Sequence, residues 1–261
     1  MSTELGFLSI FDIRRVQSNA FDPIRSYYFV DHGVSALRFI DNNHIVTGDR
    51  TGGLHHWDLR HSNNSPTVSR SECHLDRIVS IAVHPNKLQF ATGGNGHIVN
   101  VWDVRNQQTP MFVLDHHSSA VRALDWCPWE HNILATGGGL DDGRICIIDT
   151  HLGKMVKSTE TGFQICKLIW SRHYKEIVSL ASTDAEQIEI RRYPDIDSVA
   201  LHFKGHNARP LHSSLSPDGQ VLATMSGDET VKLWRCFPVR PDQRPLKPYL
   251  KEPKSTVGTI R

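Results

Sequence analysis

KGHNARPLHSSLSPDGQVLATMSGDETVKLWRCF, residues Lys204 to Phe237, decides how the whole chain is read. It opens on a Gly-His pair and runs through a short apolar strand to the turn Ser216-Pro217-Asp218-Gly219. A second strand follows from Val221 to Ser226, then a tight turn at Gly227-Asp228-Glu229, then a third strand ending on Trp234. Proline presets φ in the first turn and Gly219 accepts a positive φ, so the spacing predicts a hairpin there. His206, Ser226, Asp228 and Trp234 are residue types that hydrogen-bond across such a unit. A buried polar chain of this kind pins strand register, and a structural rather than catalytic role is expected for all four.

The third-strand ending recurs at Phe11 (SIFDIRR), Trp57 (LHHWDLR), Trp102 (VNVWDVR), Ile148 (ICIIDT) and Arg191 (IEIRRYP), at intervals of 46, 45, 46 and 43 residues, with 43 more to Trp234. First strands are expected at 34–39, 78–83, 121–126, 165–170 and 211–215, and second strands at 45–47, 90–92, 134–136, 177–179 and 222–224. Short strands at this period belong to a WD-repeat β-propeller, whose blades must stack on their neighbours to cover both faces. The predicted fold is therefore all-β. A propeller fills 1–237, with five full blades at about 30–60, 74–105, 117–150, 162–194 and 205–237 and part of an earlier blade at 1–15. Polar connections such as Arg60 to Glu72 read as surface loops. Residues 238–261, PVRPDQRPLKPYLKEPKSTVGTIR, are rich in proline and lysine without periodicity and read as a flexible tail.

With 261 residues, 39% of them apolar, the chain has material for one large core. Its 29 basic and 28 acidic residues leave a formal charge of +1, which offers no broad footprint for nucleic acid or an anionic membrane. No apolar run has the length of a membrane span, and the first residues lack a signal-peptide layout, so a place in cytoplasm and nucleus is expected. Cys73, Cys127, Cys146, Cys166 and Cys236 sit at no ligand or disulfide spacing, which predicts reduced thiols and neither metal nor cofactor. The pairs His55-His56 and His116-His117 raise a metal hydrolase as an alternative, but neighbours on a strand face opposite sides and cannot chelate one ion.

The repeats are unequal. The repeat ending at Trp102 has Gly96 where the last one has Asp228; the repeat ending at Ile148 keeps Asp142 but lacks the tryptophan; the one ending at Arg191 lacks both the histidine and the tryptophan. Partial hydrogen-bond chains are expected in these blades, each orphaned buried polar group costing roughly 1–3 kcal/mol.

Several motifs go beyond a generic repeat: Trp126-Cys127-Pro128-Trp129, the triple glycine Gly137-Gly138-Gly139, His173-Tyr174-Lys175-Glu176, Arg192-Tyr193-Pro194, and the run from Asp228-Glu229-Thr230 to Leu233-Trp234-Arg235-Cys236-Phe237. Together they span nearly the whole chain and resemble the Fizzy family, the WD-repeat coactivators that bring substrates to the anaphase-promoting complex, a ubiquitin ligase. His56-Trp57 and the two blades without tryptophan mark a divergent member, either Cortex-like and meiotic or an ordinary Fizzy protein that has drifted. The resemblance implies a non-catalytic adaptor whose partners are anaphase-promoting complex subunits and degron-bearing substrates such as cyclins. For a KEN-type degron it implies Asn95 and Arg209 as matching contacts, with His97 in place of asparagine and Leu140 in place of threonine. For the arginine of a D-box degron it implies Glu229, through a charge-assisted pair. The final Ile260-Arg261 matches the family's ligase-docking tail.

The family's propeller has seven blades and follows a long arm carrying the C box, so the resemblance also implies amino-terminal truncation, with a fragment, an incomplete gene model or a short isoform expected, and an isolated chain that is poorly stable or prone to aggregate. The alternative function is a scaffold or dominant-negative form that docks on the ligase without activating it.

Overall fold

The computed structural model describes residues 6–11, 25–29, 32–61, 65–182, 188–239 and Leu246. Every regular element among them is a strand. β1 (Gly6–Ile10) and β2 (Arg25–Phe29) form a two-stranded antiparallel sheet. Four blades of four strands follow. They comprise β3 (Val34–Phe39), β4 (His44–Asp49), β5 (Leu54–Asp58) and β6 (Val68–Arg70); β7 (Ile78–Val83), β8 (Gln89–Gly94), β9 (Val99–Asp103) and β10 (Phe112–Leu114); β11 (Ala123–Trp126), β12 (Ile133–Gly137), β13 (Arg144–Asp149) and β14 (Lys154–Glu160); and β15 (Ile165–Trp170), β16 (Glu176–Ala181), β17 (Ile188–Arg192) and β18 (Val199–Phe203). The fifth blade has three strands among the described residues: β19 (Pro210–Leu215), β20 (Leu222–Ser226) and β21 (Val231–Trp234). This is the expected propeller of five blades and part of another. The fourth strands lie in the segments that sequence reading gives to surface loops, so each of the first four blades extends past its third strand.

Consecutive blades stack face to face. Ala91, Val99 and Val101 of the second blade pack with Leu124, Trp126, Leu134 and Ile148 of the third. The third and fourth blades meet through Ile145, Ile147, Ile165 and Leu168, and the fourth and fifth through Val178, Leu180, Ile190 and Leu222. Closeness of approach explains a recurring glycine one residue after the conserved threonine of the second strand. A Cβ on Gly48 would lie 2.5 Å from Ile78 Cβ, and one on Gly137 would lie 2.6 Å from Ile165 Cγ2. In the fifth blade that position is Met225, and Met225, Val231 and Leu233 share an exposed apolar face.

Hydrogen bonds tie the same interfaces. Ser35 Oγ donates to Ile78 O (2.6 Å), Ser80 Oγ to Val121 O (2.7 Å), Trp126 Nε1 to Ala82 O (3.1 Å) and Trp170 Nε1 to Asp125 O (3.1 Å). The Trp-Cys-Pro-Trp motif thus closes two interfaces: Trp126 packs toward the second blade, while Trp129 meets Trp170 and Tyr193 edge to face with centroids 5.3–5.4 Å apart. After Trp234 the chain turns into the groove beside the fourth blade, where Phe237 is fully buried and its N–H donates to Gln220 O at 3.1 Å. Ile260, Arg261 and most of the predicted tail lie outside the described residues.

Within blades, the polar chain is centred on a threonine that sequence reading did not single out. Trp234 Nε1 donates to Thr224 Oγ1 at 2.7 Å, and His206 Nε2 lies 2.7 Å from the same oxygen. His206 Nδ1 faces Thr230 Oγ1 (3.0 Å) and Asp228 Oδ2 (3.4 Å). Ser226 Oγ donates to Ala208 O at 2.7 Å and accepts from the Asp228 amide at 3.4 Å. The third blade keeps the pattern without a tryptophan: His117 Nδ1 is 2.7 Å from Asp142 Oδ2, and Nε2 is 2.7 Å from Thr136 Oγ1. Burial works to raise the Asp142 carboxyl, but hydrogen bonds from His117, the Ser118 amide and Arg144 outweigh it and hold the group well below the usual carboxylate range.

The fourth blade departs from the expected partial chain. Buried Arg191, in the tryptophan position, donates to Glu189 Oε2 (2.7 Å), Ile196 O (2.9 Å) and Asp197 O (3.1 Å). A buried ion pair has replaced the polar chain. At the channel, Asp125 of β11 accepts from the Trp170 amide at 2.8 Å, and its pKa is pushed up to about 6 by burial, against the lowering effect of that hydrogen bond and of Lys167.

Two predictions follow from these buried charges. Removing Glu189 strands the Arg191 guanidinium, so Glu189→Ala should cost about 3 kcal/mol in urea unfolding, most of it recovered in Glu189→Ala/Arg191→Met; a loss within about 0.5 kcal/mol would contradict the pair's burial. Because the folded pKa of Asp125 lies above the unfolded value, its stabilising protonation is complete at low pH and is lost as pH rises through about 6. Asp125→Asn should therefore raise the unfolding midpoint at pH 8, with the gain shrinking toward pH 4; a gain constant across about pH 4–8 would refute the assignment.

Candidate functional site

Antiparallel pairing sets Ile78 opposite Gly94 and Pro210 opposite Ser226, so the starts of the first strands and the turns between second and third strands share one end of the propeller. The central channel opens there. A cavity of about 370 Å³ is lined by the first strands of all five blades and receives Arg38, Arg122, Lys167, Arg209 and His212. Arg122, Lys167 and Arg209 have no hydrogen-bonded carboxylate among the described residues. Asp125 is the nearby counter-charge; burial lowers the Lys167 pKa and Asp125 opposes that shift. The channel mouth is therefore a concave, cationic surface on an otherwise nearly neutral protein, suited to acidic or hydrogen-bond-accepting groups of a ligand.

The predicted site residues are all at this end where they fall within the described residues. Asn95, in the β8–β9 turn, donates its amide to Arg77 O at 2.9 Å, while its side-chain Oδ1 is buried without a hydrogen-bond partner. His97, at φ +61°, holds Nε2 3.6 Å from Asp115 Oδ1. Leu140, in the β12–β13 turn, is 68% exposed, an apolar point on a polar rim. Arg209 reaches the cavity, and its carbonyl accepts from the Gly227 amide at 3.1 Å. Glu229 is exposed at φ +62°, in the β20–β21 turn, two residues from Val231 on the open apolar face of the fifth blade. Of these residues only Arg209 lines the channel cavity; Asn95 and His97 lie in the β8–β9 turn, Leu140 in the β12–β13 turn and Glu229 in the β20–β21 turn.

Sequence reading missed Arg38, Arg122 and Lys167. Each interrupts an apolar first strand, in Leu37-Arg38-Phe39, Val121-Arg122-Ala123 and Cys166-Lys167-Leu168, and that interruption is the signal that could have found them. His55 and His56 use opposite faces of β5: His55 Nε2 lies 2.9 Å from Asp49 Oδ2 and His56 Nδ1 lies 2.9 Å from Gln107 Nε2.

The family model for the CDC20/Fizzy WD40 domain matches residues 1–234. WD repeat-containing protein slp1 of Schizosaccharomyces pombe is 36% identical over 222 residues, which cover 84% of this chain and 44% of that protein. Cell division cycle 20.1, cofactor of APC complex, of Arabidopsis thaliana is 36% identical over 227 residues, covering 84% of this chain and 49% of that one. The chain thus spans about half the length of these relatives. A chain in the crystal structure of the Mitotic Checkpoint Complex superposes with a TM-score of 0.82 at 32% identity, over 89% of this chain and 69% of that one. With the family model matching residues 1–234 and these relatives 36% identical, the chain belongs to the CDC20/Fizzy family of WD-repeat proteins.

Proposed function

We propose that this chain is a substrate-recognition adaptor of the anaphase-promoting complex: it binds degron peptides at the channel mouth and docks on the ligase through Ile260-Arg261. The observation that carries the reading is the cationic cavity itself, where Arg122, Lys167 and Arg209 converge without a hydrogen-bonded carboxylate among the described residues. A Lys-Glu-Asn segment offers a carboxylate to the arginines and amide groups to the Asn95 side chain, whose buried oxygen lacks a donor. Membership of a family whose relatives include a cofactor of APC complex supports the same assignment. Glu229 beside Val231 and Leu233 fits a second peptide class, an arginine followed at a short spacing by an apolar residue. No step in this activity requires bond making or breaking, so the role is that of a receptor.

Fluorescence anisotropy with labelled peptides tests both contacts. Arg209→Ala should weaken a Lys-Glu-Asn peptide about tenfold or more while leaving an Arg-x-x-Leu peptide unaffected, and Glu229→Ala should do the reverse. Unchanged affinities in both variants, with unchanged unfolding midpoints, would remove the proposed sites.

A further inference from the structure

The second blade lacks one member of its polar chain, and the vacancy has the shape of a binding site. Trp102 Nε1 donates to Thr92 Oγ1 at 2.9 Å, which leaves the Thr92 hydroxyl hydrogen for His74 Nε2, 2.8 Å away. The Asn100 amide nitrogen also approaches Nε2, at 3.4 Å, so Nε2 accepts and Nδ1 carries the proton. In the third and fifth blades the corresponding Nδ1 faces Asp142 and Asp228. Here the aligned residue is Gly96, and His74 Nδ1 is buried without any hydrogen-bond partner, on a residue only 6% exposed.

Two backbone donors lose the same acceptor. Asp142 accepts from the Ser118 and Arg144 amides, and Asp228 from the Asn207 and Thr230 amides. The counterparts in the second blade are the amides of Leu75 and Ile98, for which no acceptor is found among the described residues. Beside them lies a pocket of about 170 Å³ lined by His74, Leu75, Gly96, Ile98 and Asn100, with Glu72 at its edge. Asn100, 4% exposed, also leaves its Oδ1 unpartnered, but as an acceptor it takes no part in holding a carboxylate. Leu75, 89% exposed, borders the pocket and is unrestrained by packing.

We infer that this pocket binds a carboxylate, an aspartate or glutamate side chain of a bound peptide or a small free acid, which takes the place of the missing aspartate and accepts from His74 Nδ1 and the Leu75 and Ile98 amides. Burial lowers the His74 pKa to about 4, so the imidazole offers a neutral N–H donor at physiological pH. The site shares the β8–β9 turn with Asn95 and His97 but includes neither Arg209 nor Glu229, so its failure would leave those two degron contacts intact.

The test uses histidine-labelled protein and nuclear magnetic resonance, titrating sodium acetate, N-acetylglutamate amide and, as control, N-acetylglutamine amide. The His74 ring resonances should shift saturably with both acids, and affinity for the neutral control should be at least about tenfold weaker. A larger affinity for N-acetylglutamate amide than for acetate assigns the site to peptide side chains; equal affinities assign it to small acids. Gly96→Asp supplies the carboxylate in cis: a Cβ there meets nothing closer than Leu75 Cβ at 3.6 Å. That variant should abolish the shifts and raise the unfolding midpoint, and the isosteric Gly96→Asn should do so less. The inference is overturned if the resonances do not respond to either acid, if Gly96→Asp still binds them, or if Glu72→Gln lowers stability as much as Gly96→Asp raises it, since Glu72 would then fill the vacancy itself.

Discussion

A twisted four-stranded sheet with apolar side chains on both faces has no stable existence alone, and this one constraint organises the molecule. Each blade covers one face of its neighbour, and the fit is close enough that Gly48 and Gly137 have no room for a methyl group. Burying Val99, Val101, Leu124 and Ile148 in one interface removes several side chains from water at roughly 1.5–3 kcal/mol each, far more than any single hydrogen bond in the blade contributes. The polar chains have a different task. They set which residue of one strand lies against which residue of the next, and so which side chains face the neighbouring blade.

Stacking also creates the channel. Because the first strands of successive blades lie side by side around an axis, residues that are far apart in sequence, Arg38, Arg122, Lys167 and Arg209, converge on one cavity. Polar replacements inside blades show how tolerant the arrangement is when burial is preserved. Ile148 substitutes for a tryptophan by joining the core, Arg191 by taking Glu189 and two carbonyls as partners, and Gly96 leaves donors without an acceptor.

Much of this architecture was legible in the sequence because the first three strands of the second, third and fourth blades are largely buried and therefore apolar. The outer strands were not: β14 and β18 are largely exposed, and Lys154 to Glu160 carries no apolar run to distinguish it from a loop. The residues Asn95, His97, Leu140, Arg209 and Glu229 were proposed from their turns and the family resemblance. Arg122 and Lys167 escaped because a basic residue at the start of a strand or within one has meaning only once the strand is known to line a channel. The role of Thr224 as hub was likewise hidden, since threonine is common in strands and only its position between His206 and Trp234 makes it central.

The central claim is that the cationic channel mouth is a peptide-recognition face, and hydrogen–deuterium exchange with and without a saturating Lys-Glu-Asn peptide addresses it without any substitution. The account predicts slowed exchange in the β8–β9 turn at 95–98 and in the approach to β19 at 207–210, with the outer strands β6, β10, β14 and β18 unchanged. Protection confined to those outer strands, or absent from the channel mouth at saturation, would contradict it.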